Sequence, residues 1–449
     1  MCEIKNAGYN DVVLRLLQSA NCQIGDIIRI TCKGKTYEGI LIPRAKFGDT
    51  TNIIVIKMKN GYNVGIAAFE GVNIEKIGVG TKPMHVTPVL PEQNSVLPHV
   101  IIMITDGTIA GHIDYQTGTT TCSTICANDL YGVAPELSEI AKIDAENVFN
   151  IYSENVTPKS WTELAKKIAK HIKRGIDGIV ITHSTDTMGY TSAALSFALQ
   201  NLPIPIIFVG AQYSSDRPSS DATTNLIAAV KTAGVAPFAE VGLAMHETIS
   251  DSAIVVHRGV RARKCHTSRR DAFKSVNDFP IAKVFDQKVV MEKSDYQHRD
   301  SSKQLVLKPD FCEKVALVKF YPGVDSSVID YYVNQGFRGI LLEGYGLGNV
   351  SATCFEAIKN AIAKGVIVAF ASQCIWGRVN MNVNDAGRVL LDLGVVALDD
   401  MFPETGLVKL MWVLGHTNDA KEVVQLLKTN IAGEFTVRSL PQEETVYGV

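Results

Sequence analysis

The chain has 449 residues, of which 46% are hydrophobic and 20% are charged, so it is long enough for two or three domains with a sizeable core. Its formal net charge of −2 provides no global field that would hold it on nucleic acid. The nine cysteines are scattered, which favours reduced thiols over a disulfide scaffold. Met1 is not followed by a signal-peptide pattern, and no apolar run approaches ~18 residues, so we expect a cytoplasmic protein without a membrane span.

Residues 1–85 differ in pattern from the rest of the chain. The stretch YNDVVLRLLQSAN predicts one amphipathic helix, and DIIRITCKG, KTYEGILIPR, NIIVIKMKNG and YNVGIAA read as short strands between turn residues. Regularly spaced short strands of this kind are typical of a small β-barrel. A segment rich in proline and polar residues then predicts a linker over residues 86–97.

From residue 98 onwards, apolar strands alternate with amphipathic helices. A first series, residues 98–305, has the strands IIMI, GIDGIVITH and IPIIFVGAQ with the helices YTSAALSFALQ and ATTNLIAAVKTAG. A second, smaller series, residues 306–449, has the strands VALVKFYPG, RGILLEGYG and VIVAFASQC. Continuous apolar strands between helices indicate parallel sheets that are covered on both faces. The predicted fold is therefore a small β-barrel followed by a two-unit, parallel-sheet α/β region.

Reactive residues in such folds lie just beyond the carboxyl ends of the strands. The first strand ends in Thr105-Asp-Gly-Thr108, and the second ends in His183-Ser-Thr-Asp-Thr187. A threonine hydroxyl becomes a nucleophile only beside an activating group, and Asp186 with a nearby lysine would supply one for Thr185. The alternative is that these residues only cap the following helix. His183 is likewise open to a purely structural role.

Taken together, these segments resemble a known family. Four segments are similar to the type I/II bacterial asparaginases, whose signatures are TGGTIA and HGTDT. They are IIMITDGTIAGHIDYQTG, VITHSTDTMGYTSAALSFAL, VGAQYSSDRPSSDATTNL and SRRDAFKSVN. Four further segments resemble one branch of this family, the D subunits of archaeal glutamyl-tRNA(Gln) amidotransferases. They are VRARKCHTSRRDAFKSVN, SQCIWGRVNMNVNDAGR, MFPETGLVKLMWVLG and the N-terminal GDIIRITCKGKTYEGILIPR. The resemblance covers essentially the whole chain and implies the asparaginase-like α/β fold.

The resemblance also implies roles for individual residues. Thr108 matches the family's first threonine, which attacks the substrate or cooperates in the attack, and Tyr115 matches the tyrosine of the following loop. The second threonine, its acidic neighbour and the lysine that completes the catalytic group match Thr185, Asp186 and Lys274. Ser153 and Glu154 match the loop that binds the α-amino and α-carboxylate groups of the substrate, and Asp186 would also contact the ammonium group. No metal site is implied.

The function implied by the resemblance is hydrolysis of the side-chain amide of glutamine or asparagine. In this branch the ammonia passes to the E subunit, which binds the tRNA and uses ATP, with Mg implied, to activate the glutamate of Glu-tRNA(Gln). The product is Gln-tRNA(Gln). We therefore expect no cofactor in this chain itself, a homodimer within a heterotetramer with the E subunit, and tRNA contact mostly through that partner.

Several positions depart from the family pattern. Asp106 and Ser184 replace the first glycine of TGGT and the glycine of HGTDT, where glycine permits unusual backbone angles or close approach of a ligand. EGYGLGNV also departs from EGTGLGH at Tyr345 and Asn349. Two alternatives therefore stay open: a free-standing L-asparaginase and a catalytically impaired structural subunit. The basic segment of residues 258–270 could contact tRNA phosphates, although binding to nearby carboxylates or a dimer interface is the preferred interpretation.

Overall fold

The computed structural model describes most of the chain, and twelve ranges make up the described part: 8–43, 52–58, 63–68, 71–79, 94, 96–105, 112–113, 120–121, 130–131, 134–213, 220–286 and 288–439. Three residues that the sequence marks as functional or unusual, Asp106, Thr108 and Tyr115, lie outside it, as does most of the predicted linker. The other predicted site residues are described.

The N-terminal module contains the predicted helix and five antiparallel strands. Helix α1 (Asp11–Ser19) begins where Asn10 accepts a hydrogen bond from the Val13 amide. The strands are β1 (Asp26–Cys32), β2 (Lys35–Leu41), β3 (Ile53–Lys57), β4 (Asn63–Ala67) and β5 (Asn73–Val79). They form one sheet in the order β4-β3-β2-β1-β5. In the described residues the two outer strands do not pair with each other, so closure into a barrel stays a prediction.

The first α/β unit is built on an eight-stranded sheet. Its strands are β6 (His99–Ile104), β9 (Lys142–Asn147), β10 (Gly178–Thr182), β12 (Ile206–Val209), β13 (Val241–His246), β14 (Ile254–Arg258), β17 (Ala282–Phe285) and β18 (Lys288–Met291). They are arranged in the order β18-β17-β14-β13-β12-β10-β6-β9. The five strands from β9 to β13 in this order run parallel to one another.

The prediction of a parallel sheet was wrong for one arm of this unit. Strands β13, β14, β17 and β18 pair in antiparallel fashion. The chain from β13 to β14 spans only residues 247–253. A parallel crossover needs a dozen or more residues, whereas an antiparallel return needs only a short loop. The sheet is therefore mixed.

Helices cover both faces of the parallel part: α2 (Leu137–Ile140), α3 (Pro158–Ile172), α4 (Met188–Ala198) and α5 (Ala222–Val235). Successive strand residues point to opposite faces. Accordingly, Ile102 and Val180 pack against α5, whereas Met103 and Ile181 pack against α3 and α4. All of these strand side chains are fully buried, as expected for a sheet covered on both sides.

The second α/β unit has a smaller sheet that is parallel throughout. Strands β20 (Val315–Lys319), β21 (Gly339–Gly344), β22 (Ile367–Ser372) and β23 (Val396–Ala397) lie side by side in chain order. Its helices are α6 (Ser327–Asn334), α7 (Phe355–Ala363), α8 (Asp385–Leu393), α9 (Pro403–His416) and α10 (Ala420–Leu427). The rings of Trp412 and Phe197 stack with centroids 5.9 Å apart, so α9 and α4 join the two units in one core.

The remaining short strands pair in twos: β7 (His112–Ile113) with β8 (Thr120–Thr121), β11 (Leu199–Gln200) with β19 (Val306–Leu307), and β15 (Ala262–Lys264) with β16 (Phe273–Ser275). The β15–β16 hairpin matters for the site described below. Within the described ranges, no helix combines the length and the apolar composition that crossing a bilayer requires.

The sheet packs closely on α5 at Gly178, the first residue of β10. A Cβ at this position would collide with the backbone carbonyl of Ala233. Because backbone cannot move aside cheaply, Gly178→Ala should lower the free energy of unfolding by about 1–3 kcal/mol. The matched control is Gly78→Ala, whose Cβ would make only ordinary contacts with Ile27. Urea denaturation of both variants checks the prediction, and equal midpoints would contradict it.

Candidate active site

The candidate site lies at the switch point of the first sheet. The chain passes from β6 to β9 on one side, and then crosses to β10 on the other side of β6. Ligands of open α/β sheets bind at the carboxyl edge where the strand order reverses in this way. Here the Thr105 amide and hydroxyl both donate to the Thr182 carbonyl, over 3.2 and 2.8 Å. The exits of β6 and β10 are therefore held side by side.

The turn after β10 carries a charged cluster. The Lys264 ammonium donates to the Thr185 hydroxyl oxygen over 2.7 Å and to the Asp186 carboxylate over 2.7 Å. Thr185 is only 8% exposed, whereas the Asp186 side chain is 71% exposed. A charged donor to a hydroxyl oxygen stabilises negative charge there. The structure thus brings a threonine, an aspartate and a lysine together, as the sequence pattern suggested.

The lysine of this cluster is a different one from that predicted. Lys274 does not reach Thr185 or Asp186; its ammonium pairs with Asp271 over 3.0 Å. In the β15–β16 hairpin, Lys274 lies opposite Arg263, and Lys264 lies opposite Phe273. Adjacent residues of a strand point to opposite faces, so only Lys264 faces the turn. The prediction of Lys274 as the partner of the two residues was therefore wrong.

The hairpin can approach the turn because of Gly189, in the first turn of α4. A Cβ on Gly189 would lie 2.9 Å from the Ala262 carbonyl oxygen, which is closer than real side chains come to backbone. Its absence lets β15 lie directly against the helix that follows Asp186. Lys264 lies in the family-like segment VRARKCHTSRRDAFKSVN, but that segment also contains Lys274, and the sequence does not say which of the two lysines faces the turn. Sequence reasoning therefore missed Lys264.

Ser153 lies beside the same turn, in a short 3-10 helix (Ser153–Asn155) that follows β9. The Thr187 hydroxyl donates to the Ser153 carbonyl over 2.8 Å. The Ser153 side chain is 1% exposed, and its hydroxyl has no hydrogen-bond partner among the described residues. A buried hydroxyl without a partner is costly, which is consistent with a site that a polar ligand completes. Glu154 is exposed beside it.

The helix-cap interpretation of this turn is not borne out by the contacts. Thr187 occupies the N-cap position of α4, yet its side chain makes no capping hydrogen bond because its hydroxyl binds Ser153 instead. The Asp186 carboxylate binds Lys264. His183 does have structural contacts: its Nδ1 lies 2.7 Å from the Ser184 carbonyl and its Nε2 3.0 Å from the Thr191 hydroxyl.

Ser184 fits its turn without backbone strain. The described non-glycine residues with positive φ are Asn21, Lys33, Asn201, Asn277, Asp286 and Asp399, and Ser184 is not among them. The family's glycine is therefore not needed here for a left-handed conformation. Compared with the family's glycine, Ser184 therefore adds the volume of its side chain and one hydroxyl group.

The arginines of segment 258–270 bind carboxylates within the chain, in agreement with the preferred interpretation. Arg258 pairs with Glu240 and Asp278, Arg261 with Asp400, Arg263 with Glu404, Arg269 with Asp271, and Arg270 with Asp251. Two of these guanidinium groups are nearly or fully buried. Groups that are held in this way are poorly placed to meet tRNA phosphates.

Tyr190 lies on α4 close to the Arg263–Glu404 pair. Burial, together with the nearby carboxylates of Glu404 and Glu343, raises the pKa of its hydroxyl to about 12. Arg263 opposes this shift. The phenol therefore stays protonated at neutral pH and has little capacity as a base.

Three sequence models of known families match the chain, and together they cover most of it. They are the GatD N-terminal domain over residues 22–77, the N-terminal domain of asparaginase over 99–297, and the C-terminal domain of glutaminase/asparaginase over 314–427.

Curated relatives match along nearly the full length. The D subunit of the Pyrococcus furiosus glutamyl-tRNA(Gln) amidotransferase is 46% identical over 438 residues, covering 96% of this chain and 98% of that protein. Its counterpart from Thermofilum pendens is 44% identical over 440 residues, covering 96% and 97%. This chain belongs to the family of glutamyl-tRNA(Gln) amidotransferase D subunits.

Solved structures agree with this membership in the α/β region. The thermostable L-asparaginase of Thermococcus kodakarensis superimposes with a TM-score of 0.68 at 31% identity, covering 75% of this chain and 99% of that one. L-asparaginase I of Vibrio cholerae gives a TM-score of 0.66 at 28% identity, covering 76% and 100%. This chain thus has the asparaginase fold with additional residues.

His257, on strand β14 before the hairpin, should make the stability of the fold depend on pH. Complete burial, and the nearby Lys274 to a smaller extent, lower the pKa of this imidazole from 6.5 to about 3. Its Nδ1 lies 2.8 Å from the Ser275 hydroxyl of β16. Between those two pKa values the unfolded chain binds a proton that the folded chain does not. Stability is therefore complete above 6.5 and is lost as the pH falls.

Relative to His257→Asn, the wild-type free energy of unfolding should lose about 1.4 kcal/mol more for each pH unit between 6.5 and about 3. Asparagine keeps a polar atom near Nδ1 but does not titrate. Denaturant unfolding at a series of pH values measures both slopes. Parallel stability curves for the two proteins would show that His257 is protonated in the fold.

Proposed function

We propose that this chain is the amide-hydrolysing subunit of a tRNA-dependent amidotransferase. It releases ammonia from the side-chain amide of glutamine or asparagine, and the ammonia serves the conversion of Glu-tRNA(Gln) to Gln-tRNA(Gln). The observation that carries this proposal is the Lys264 ammonium, 2.7 Å from both the Thr185 hydroxyl and the Asp186 carboxylate at the switch point. The names of the full-length relatives support the same conclusion.

The reaction needs a nucleophile and a proton relay. Thr108 is proposed as the nucleophile from its motif, and it follows the β6 exit that Thr105 fixes beside Thr182. Its oxygen attacks the amide carbon while Thr185 accepts its proton and gives its own to the amide nitrogen. The C–N bond then breaks and ammonia leaves. Water hydrolyses the threonyl ester, returning a proton to Thr108 and releasing the free acid.

Lys264 serves this relay by charge. Its ammonium lowers the energy of the Thr185 oxygen whenever that oxygen carries negative charge, and Asp186 holds the ammonium in place. The buried position of Thr185 strengthens the effect, because charge is screened less there than in water.

Substrate recognition fits the same surface. Glutamine and asparagine are zwitterions, so their site needs acceptors for the ammonium and donors for the carboxylate. Asp186 is exposed enough to meet the ammonium, with Glu154 on the neighbouring loop as a second acceptor. The Ser153 hydroxyl is a donor that has no partner among the described residues. Tyr115, which lies outside the described residues, is proposed from its motif alone to cover the substrate and exclude water.

The partner in this proposal is the E subunit of the amidotransferase, which holds the tRNA and uses ATP and Mg for the activation step. The internal ion pairs of residues 258–270 are consistent with tRNA contact mostly through that partner. This chain itself needs no cofactor for amide hydrolysis. An N-terminal module that closes into a small barrel would be the part that simple asparaginases lack.

A homodimer within the complex is part of the same proposal. Exposed apolar side chains follow three neighbouring strands of the second sheet at its carboxyl edge: Tyr321, Leu347 and Ile375, which are 58%, 41% and 41% exposed. Apolar rims of this kind are typical of protein contacts. A second copy of the chain would cover this edge and place residues of the second unit at the neighbouring site.

Replacing Lys264 should separate the two lysines by function. Lys264→Met removes the donor to Thr185 and should lower kcat for ammonia release by about 100-fold or more. Lys274→Met is the matched control, since among the described residues its ammonium contacts Asp271 and the Glu247 carbonyl and neither Thr185 nor Asp186. Its kcat should stay within about 3-fold of wild type. Ammonia is measured from glutamine and from asparagine, alone and with the E subunit and glutamyl-tRNA.

Similar losses in both lysine variants would contradict the assignment of Lys264. Wild-type release that needs neither the partner nor tRNA, and that is fast with asparagine alone, would favour a free-standing asparaginase instead.

Ser184→Gly tests the alternative of an impaired subunit. Because Ser184 has no positive φ in the structure, its replacement by the family's glycine should relieve no backbone strain. We expect kcat to change by less than about 3-fold in the same ammonia assay. An increase of one or more orders of magnitude would show that the serine blocks the site in the wild-type chain.

A further inference from the structure

A chain of hydrogen bonds runs through the core beneath the active-site turn. It begins at the Trp161 indole of α3, whose Nε1–H donates to the Thr191 hydroxyl oxygen over 3.2 Å. The Thr191 hydroxyl lies 3.0 Å from Nε2 of His183. The Nδ1 atom of His183 lies 2.7 Å from the Ser184 carbonyl oxygen. These three side chains are 6%, 1% and 2% exposed.

The two ends of this chain fix its direction. An indole N–H can only donate, and a carbonyl oxygen can only accept. His183 must therefore carry a hydrogen on Nδ1 to bind Ser184. The Thr191 hydrogen can point to His183 Nε2 at 3.0 Å or to the Thr187 carbonyl at 3.4 Å. The shorter contact makes Nε2 an acceptor, so every group in the chain donates to the next.

The acceptor at the end of the chain is the peptide group that leads into Thr185. Its carbonyl belongs to Ser184, so its orientation sets where the Thr185 side chain begins. On the other side the turn packs against Gly210, where a Cβ would lie 2.7 Å from the His183 carbonyl oxygen and 3.0 Å from Thr185 Cγ2. The turn is thus held between an anchored histidine and a backbone that approaches closely.

We propose that Thr191 and His183 are positioning residues for amide hydrolysis. Thr191 holds His183 as the neutral Nδ1–H tautomer, and His183 holds the 184–185 peptide in the orientation that presents Thr185 and Asp186 to Lys264. Neither residue exchanges a proton with the substrate. This inference rests on the proposed function. It adds a hydrogen-bonded support for the turn, which the Thr-Asp-Lys cluster alone does not contain.

Thr191→Val tests the positioning role of the Thr191 hydroxyl, because valine keeps the shape of threonine and removes that hydroxyl. A misplacement of about 1 Å at a reacting group can cost about 100-fold in rate, so kcat should fall by about 10- to 100-fold while KM changes by less than about 3-fold. Thr191→Ser restores the hydroxyl and should bring kcat back close to the wild-type value.

The matched control is Thr232→Val in α5, away from the site. Thr232 is also fully buried in a helix, and its hydroxyl donates to the Ala228 carbonyl over 2.7 Å. It should lower Tm about as much as Thr191→Val does and leave kcat unchanged. Equal kcat in the two valine variants, or no recovery in Thr191→Ser, would overturn the proposal.

The tautomer of His183 gives a readout that needs no substrate. In full-length protein carrying 13C-labelled histidine, the Cδ2 resonance that disappears in His183→Asn should have the chemical shift of an Nδ1–H tautomer. It should move in Thr191→Val and stay in place in Thr232→Val. A shift typical of the Nε2–H tautomer would overturn the proposal even if catalysis proceeds. A wild type that releases no ammonia under any condition would overturn the proposed function together with the positioning role that rests on it. A wild type that releases ammonia but has the Nε2–H shift would overturn the positioning role alone, so the two failures can be told apart.

Discussion

The arrangement of the site depends on one ammonium group that two side chains share. Lys264 joins Thr185 and Asp186 across almost eighty residues of sequence, with 2.7 Å to each. A threonine hydroxyl alone is a weak nucleophile and a weak base. The cation makes the Thr185 hydroxyl a better proton donor, because it stabilises the negative charge left on that buried oxygen. The parallel strands supply the turn, and the hairpin inserted between β14 and β17 of the antiparallel arm supplies the lysine. Both parts of the mixed sheet are therefore needed to assemble the cluster.

Two kinds of support hold this cluster in place. The hairpin that carries Lys264 lies against α4 through Gly189, and its neighbour Arg263 pairs with Glu404 at the start of α9 over 3.1 Å. The second α/β unit thus helps to fix the lysine. The turn itself is anchored from below by His183. Buried polar groups that are satisfied in this way specify one arrangement, which suits a site that must hold reacting atoms closely.

The sequence predicted most of the elements because apolar strands and amphipathic helices leave strong periodic patterns. It also pointed to Thr185 and Asp186, since exits of parallel strands share one edge, and Ser153 came from the family resemblance; their roles stay predictions. It assigned the wrong lysine because Lys264 and Lys274 lie on paired strands of one hairpin and face opposite sides; the register that decides between them is set by tertiary contacts. The antiparallel arm was missed for a related reason, since the fully buried strands β13 and β14 read alike in either direction.

The most direct test of the proposed chemistry is to identify the residue that a glutamine-like electrophile modifies. A diazoketone analogue of glutamine would alkylate the nucleophile, and peptide mass spectrometry would locate the adduct. We predict an adduct on Thr108, the proposed nucleophile. We also predict that the adduct is lost in Lys264→Met and retained in Lys274→Met. An adduct on the exposed Cys265 or Cys374, or equal labelling of the two lysine variants, would contradict the central role of Lys264.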